Sequence, residues 1–266
     1  RVHVGANVDL SFGNGKAVRV SPDVKAQYVF SDSYVLYAKA TGGRQLNDFR
    51  RLETYNPYLD PGQAVRDTYE QLNAGLGFKA SPTPGLWFDI FGGYQNLKDD
   101  LYQSADQWIG GSGANYIALG QTNTDNFYAG IKASYEYKDL FAISAGGTYY
   151  HWNADAQTTG SKSSDYNEAL LMKPEFDLGI HTEIHPIAAL WLNAGYQYTR
   201  RAERYTGLYA KSIPAVSNLS LGATYRIFKG ISAYVKADNL LNKKYQYYLY
   251  YPVEGINFVG GLSFRF

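Results

Sequence analysis

Glu175, Asp177, His181 and Glu183 fall at even spacing along one stretch, so a strand would project all four from one face. Carboxylates beside an imidazole are the donor types that hold a divalent cation. Positions two apart on a strand stand about 6.6–6.8 Å apart, so one ion would engage only some of them. A hydrated polar strip is the competing reading, and no metal site is assigned. A second set is basic and aromatic: Arg44, Arg50 and Arg51; Arg200, Arg201 and Arg204 with Tyr205 and Tyr209; and Tyr247, Tyr248, Tyr250 and Tyr251. Guanidinium groups fork onto oxyanions and stack on rings, which suits an anionic or ring-bearing ligand or a partner lipoprotein. The competing account has Arg meeting lipid-headgroup phosphates while Tyr builds an interfacial belt. The 4 His and the many Ser permit a hydrolase, but no nucleophile and base stand at a telling spacing. The chain therefore reads as non-enzymatic and without a cofactor.

These groups need a scaffold, and the last stretch identifies it. Ile256, Phe258, Gly260, Leu262, Phe264 and Phe266 alternate with Asn257, Val259, Gly261, Ser263 and Arg265. Such alternation predicts a strand with one oily and one mixed face. Its length is about what a tilted strand needs to cross a bilayer, roughly 9–11 residues. A strand ending on Phe makes a poor edge in water but a good one where lipid meets it. The composition agrees, with 26 Tyr and 27 Gly beside one Met and no Cys. Tyr favours strands and membrane interfaces, and Gly lets large side chains pass closely in a curved sheet. A formal net charge of +1 supplies no field to steer nucleic acid, which is excluded as a partner. Mean hydropathy is −0.35, and no apolar run suits a spanning helix. Lacking an initiating Met or an apolar leader, the chain reads as a mature or trimmed product.

The same alternation recurs from Val2 onward, with breaks of two kinds. Short turns are expected at Ser31–Ser33, Ser81–Gly85, Lys138–Leu140, His185–Ile187 and Phe228–Gly230. Gly13–Lys16 also carries turn residues. Long irregular stretches are expected at Thr41–Thr68, Asn96–Thr124, Asn153–Asn167 and Arg200–Val216. About twelve strands result, and short turns opposite long loops describe an antiparallel transmembrane β-barrel, its turns periplasmic and its loops extracellular. Residues 1–266 are expected to form this single outer-membrane barrel domain, with no plug domain. Tyr28, Phe30, Phe78, Tyr135, Tyr137, Phe264 and Phe266 lie on the oily face at strand ends, as an interfacial girdle would. The opposite face, the expected lumen wall, carries Asp9, Asp23, Asp89, Glu136, Glu175, Asp177, Glu183 and Asp238 with His181. Against these stand Lys25, Lys39, Lys79, Lys132, Arg226, Lys236 and Arg265. A selective pore shows one sign at its constriction, so this mixture is expected to pair across strands and hold the wall, or to fill a narrow lumen.

Asn239-Leu240-Leu241-Asn242-Lys243-Lys244-Tyr245, then Tyr251-Pro252, Gly255 and Phe258 to Phe266, resemble the closing segment of TonB-dependent outer-membrane receptors. Gly42-Gly43-Arg44 with Tyr55-Asn56-Pro57-Tyr58-Leu59 resembles a loop of that family, and Asn96 to Leu101 resembles its Lys-Asp-x-Ile strand exit. Gly261, Phe264 and Phe266 fit the barrel-assembly signal, whereas Val259 stands where that signal prefers a polar residue. Ile256 replaces the family's usual Arg, and the first loop lacks its usual aromatic and Pro. The family also carries a plug, a TonB-contacting segment and about 22 strands, of which this chain has about half. It therefore reads either as the C-terminal part of a receptor or as a short barrel of receptor ancestry. The resemblance implies an integral protein of the bacterial outer membrane that takes up a nutrient. Its implied partners are outer-membrane lipid, the barrel-assembly machinery, and a TonB-type energiser, plug or surface lipoprotein. The alternative is a plugless passive pore or an integral subunit of an outer-membrane complex.

Overall fold

A computed structural model describes residues 1–266 except 13–15, Pro61, 105–116, 156–167, 202–212 and Phe266. Twelve strands form one antiparallel meander: β1 (Val2–Leu10), β2 (Val18–Ser31), β3 (Tyr34–Gln45), β4 (Thr68–Thr83), β5 (Leu86–Ser104), β6 (Ala118–Tyr137), β7 (Phe141–Ala154), β8 (Pro174–Ile187), β9 (Leu190–Arg201), β10 (Val216–Phe228), β11 (Ile231–Asp238) and β14 (Asn257–Phe264). The small hairpin of β12 (Gln246–Tyr248) and β13 (Tyr251–Pro252) sits in the last long connection, and helix α1 (Phe49–Tyr55) in the one after β3. Each strand pairs with its neighbour in order, and β1 and β14 are the two edges of the sheet.

Cross-strand partners share a face, so register decides whether the oily stripes line up. Ala38 pairs with Leu76, Leu76 with Gly92, Ile90 with Ile131, Ala223 with Leu192, and Val235 with Gly260. One face is therefore apolar from β1 to β14. It is also open to the surroundings: Val4 is 76 % exposed, Leu76 65 % and Leu262 59 %. Rings collect at its two borders. Toward the turns, Tyr34 stacks on Phe78 at 6.1 Å and Tyr28 meets Phe30 edge-on at 4.7 Å. Toward the loops, Tyr94 lies 4.8 Å from Phe127 and Phe176 lies 6.4 Å from Tyr198. On β6 the two borders, Phe127 and Tyr135, are about 27 Å apart along the strand, close to the height of an apolar barrel band.

The turns are tight. Pro84–Gly85 and Lys229–Gly230 connect their strands through Gly85 at φ 81° and Gly230 at φ 85°, a region where a Cβ is strained. A Cβ at Gly85 would also stand 2.1 Å from the carbonyl oxygen of Glu136.

The strands run further than alternation indicates. β3 continues to Gln45, so Gly42–Arg44 belongs to a strand, and the stretch after it holds α1. β5 and β6, with 19 and 20 residues, take up most of Asn96–Thr124. β7 reaches Ala154, a 3-10 turn spans Glu168–Leu170, and β9 reaches Arg201. About 20 residues of strand extend some 65 Å, far more than a bilayer crossing requires. Beyond the apolar band both faces meet water and each other, so pairing continues while the two-residue hydropathy rhythm stops. The Gly13–Lys16 turn lies mostly outside the described residues. The best-packed apolar side chains sit at this loop end, including Tyr69, Leu97, Leu101, Tyr102 and Ile117.

Candidate functional site

The polar face of β3–β7 is laid out in rows by the register. One row reads Val35, Lys79, Asp89, Lys132, Gly146; the next Tyr37, Gly77, Phe91, Gly130, Thr148; the third Lys39, Gly75, Gly93, Tyr128, Tyr150. Three of the rings, Tyr37, Phe91 and Tyr128, lie across a neighbouring glycine. A Cβ at Gly77 would stand 2.4 Å from the Tyr37 ring, at Gly93 2.5 Å from the Tyr128 hydroxyl, and at Gly130 2.6 Å from Phe91. The glycines thus admit rings lying flat on the wall. The result is a recess of about 420 Å³ bounded by these rows, with Asn73, Gln95, Asn126 and Trp152 toward the loops. Asp89 is buried and accepts the Tyr37 hydroxyl through both oxygens, at 2.9 and 3.1 Å. The Tyr128 hydroxyl donates to Asn73 at 2.9 Å, and Gln95 donates to Glu70.

Elsewhere on the wall, charges settle among themselves. Asp23 takes both His3 at 3.2 Å and Lys25 at 3.0 Å; Lys236 meets Asp238 at 2.9 Å; His181 meets Glu183 at 3.1 Å; Arg200 meets Glu175 at 3.4 Å. Three of these five pairs run along one strand rather than across two, which corrects the expected cross-strand pattern. In register Lys25 faces His3 and Lys39, Lys236 faces Gly222 and Val259, and His181 faces Ser144 and Gly195, so no carboxylate stands opposite any of them and each pairs two residues along its own strand. Arg226 donates to the Ala188 carbonyl at 2.7 Å and covers Trp191. Asp9 faces Arg19 in register, with one carboxylate oxygen buried and unbonded. Asp177 lines a second recess with Lys132 and His181. Among the described residues no three His, Asp or Glu converge as metal ligands.

The basic loop residues are dispersed. Arg44 reaches Asp67 at 3.6 Å, and Arg51 donates to Gln45 at 2.6 Å, so both brace the connection around α1. Arg50 is exposed on α1. Arg201 is 7 % exposed, with Nε and Nη1 lacking a partner. Arg204, Tyr205 and Tyr209 lie outside the described residues. Gly261 lies under the Tyr234 ring and Phe264 faces outward, whereas Phe266 is outside the described residues.

Sequence reading missed the residues that gather the loops into a cap. Ile117, Leu171 and Leu249 pack together with Leu59, Met172, Ile213 and Tyr251 around them. Tyr58 stacks on Tyr251 and meets Tyr248 edge-on. Gln103 accepts the Leu249 amide at 2.9 Å, and Gln63 clamps both the Ile117 carbonyl and the Leu119 amide. The Asp99–Asp100 pair anchors the base. Asp99 binds Arg19 at 3.2 Å and Arg66 at 3.5 Å, while Asp100 binds Lys173 and the Thr124 hydroxyl. Asn239 explains part of the closing motif. At φ 50° it donates to the carbonyls of Lys243 and Glu254 and accepts the Lys243 amide, closing the last loop on itself. Tyr55 donates to the Leu101 carbonyl at 3.2 Å; burial, and then the charge on Asp100, pushes its phenol well above the usual tyrosine range.

No protein-family profile matches the sequence, and no curated protein matches it either. Solved structures do match. The ferric-catecholate import receptor Fiu from E. coli K12 superposes with a TM-score of 0.63 at 12 % identity, over 99 % of this chain and 40 % of that one. The pyoverdine outer membrane receptor FpvA from Pseudomonas aeruginosa PAO1 gives 0.61 at 17 %, over 93 % and 36 %. The copper transporter OprC gives 0.59 at 15 %, over 93 % and 40 %. These neighbours are TonB-dependent receptors, and the chain has the fold of their barrel. It spans well under half the length of each.

Proposed function

We propose that this chain is the wall of an outer-membrane uptake barrel of the TonB-dependent class, lodged in the bilayer by its apolar face. The observation that carries the reading is the division of the sheet: an exposed apolar band bordered by rings on one side, and hydrogen-bonded polar rows with recesses on the other. The folded cap at the loop end supports a receptor over an open pore, because it spends buried side chains on shaping a mouth. The import and transport roles in the neighbours' names support the same reading. Residues 1–266 act in it as one barrel domain. Among the described arginines of the two clusters, Arg50 is exposed and Arg201 is buried without a charged partner, whereas Arg44, Arg51 and Arg200 are held by neighbouring side chains. The barrel's energiser is a TonB-type protein, and its insertion uses the assembly machinery through Gly261, Phe264 and Phe266.

The test is uptake by cells. Bacteria lacking the gene should lose accumulation of a metal chelate or comparable bulky nutrient, and re-expression should restore it only while the energiser is intact. Uptake that persists without the energiser would leave the passive-pore reading in its place. Orientation is read separately: in membranes, a water-borne thiol reagent should label a Lys79→Cys variant and spare Leu76→Cys.

A further inference from the structure

The last long connection joins β11 to β14, two neighbours at one edge of the sheet, yet its outermost residues are fastened to a distant part of the wall. The Leu249 amide donates to Gln103 on β5, and Tyr251 lies flat on Tyr58 in the connection after β3. The buried Leu249 side chain packs with Ile117 before β6 and Leu171 between β7 and β8. β5 and β11 are six places apart in the sheet, about 28–29 Å around it at the usual strand spacing. Leu249 stands eleven residues after Asp238, a stretch that reaches about 36–40 Å at most. The crossing therefore uses much of its length. It runs on the polar side, because Tyr247 donates its hydroxyl to Gln197 of β9 at 3.1 Å, and Gln197 lines a recess of about 580 Å³ with Asp177 and His181. Both ends of the crossing are held. At its root Asn239 closes the loop on itself, and the Val253 amide donates to the carbonyl of the buried Tyr245 at 2.9 Å. At its tip Tyr250 takes φ 67°, a region that bulky residues seldom adopt. The chain reverses there directly after Leu249, and the Tyr250 amide donates to Gln246 at 2.7 Å. Such backbone persists only where its surroundings hold it in place.

We propose that residues 239–256 form a fixed bar across the loop-side mouth, which limits by girth the solutes that reach the polar wall of β6–β10. Tyr245 to Pro252 carry five tyrosines and no charged residue, so the bar obstructs by bulk and ring contact rather than by sign. It is a bar and not a swinging lid, because lifting it would strip Leu249 from Ile117 and Leu171 and bare their apolar surface to water. The wall of β1–β4 lies outside the crossing. The inference rests on the polar face lining the lumen.

The test is labelling of intact cells with a small maleimide and with the same group on a polymer too large to cross the outer membrane elsewhere. His181→Cys, beneath the bar, should react with the small reagent. With the polymer it should react about tenfold more slowly than Lys25→Cys on β2, because the polymer has to wait for local opening. Two changes should each shrink that difference. Replacing Gln246–Pro252 by Asn-Gly removes the crossing and keeps the Tyr245–Val253 hydrogen bond as a two-residue hairpin. Tyr58→Ala with Gln103→Ala keeps the hairpin and removes its far anchorage. Equal polymer labelling of His181→Cys and Lys25→Cys in the native background, or a difference that survives both changes, would overturn the proposal. If the small reagent labels neither site, the polar face does not meet water and the lumen reading fails. If it labels both while the polymer makes no distinction, only the present inference fails.

Discussion

Tyr58 lies flat on Tyr251, ring centroids 3.6 Å apart and planes within 5°, and this contact joins the connection around α1 to the β12–β13 hairpin. A parallel bridge from Leu59 to Ile117 continues the contact into the base of the neighbouring loop. The two tyrosines therefore hold three loops in one arrangement. Tyr58→Ala should remove about 0.5–1.5 kcal/mol of ring contact beyond the area it covers. Amide hydrogen exchange at Leu59, Ile117 and Leu249 should speed up together, while the β6–β7 ladder stays protected.

The ring-over-glycine rows predict a contrast between two small substitutions. Gly77→Val places a branched side chain against the Tyr37 ring and should cost about 1–3 kcal/mol, since the ring has to leave the wall. Gly179→Ala meets nothing within 4 Å and should be near neutral. The folded fraction after refolding, read by resistance to unfolding in detergent, separates them. The cost at Gly77 should fall when Tyr37→Ala is combined with it.

A charge on the apolar face should be far less tolerable than one on the wall. Leu76→Arg lies near the middle of β4 and should cost about 2–4 kcal/mol of folding in a bilayer. Ser144→Arg is exposed on the opposite face and should cost little. Equal losses at both positions would contradict the assignment of faces.

Asp100 binds Lys173 and Thr124 at the foot of the cap, with both charged side chains mostly buried. Removing one partner strands the other, so Asp100→Asn should destabilise the cap by about 3 kcal/mol. Proteolytic clipping between β7 and β8 is the readout, and Lys173→Met in the same background should recover part of the loss.

Tyr55 supplies a pH dependence of definite sign. Its phenol titrates higher in the folded cap than in the open chain, where the ordinary value is 10.0, so folding favours the protonated form. The stabilisation is complete below that value and is lost as pH climbs past it toward the folded one. Exchange protection around Leu101 should therefore fall only at strongly alkaline pH, and Tyr55→Phe should flatten that dependence.

Much of the wall is readable in the sequence because one physical rule, lipid outside and water inside, acts on every second residue. Leu76 and Lys79 carry that rule without any knowledge of their neighbours. The cap is not readable in this way. Gln103 and Leu249 meet through a single amide bond between distant loops, and no periodicity marks either. The clustered arginines were legible as basic groups but not as fixed ones: Arg44 and Arg51 depend on Asp67 and Gln45, partners that only the folded connection brings near. Asp99 and Asp100 stood in a recognisable strand exit, yet their job of tying Arg19, Arg66, Thr124 and Lys173 together depends on loop geometry.

The meander leaves β1 and β14 each bonded on one flank only among the described residues. In hydrocarbon, each bare amide or carbonyl along such a flank costs several kcal/mol, and a whole row of them is untenable. Residence in the bilayer thus requires both flanks to be zipped, to one another or to further polypeptide. That seam is the one place where the wall can be opened without breaking a hairpin, and its pairing decides how wide the finished cylinder is.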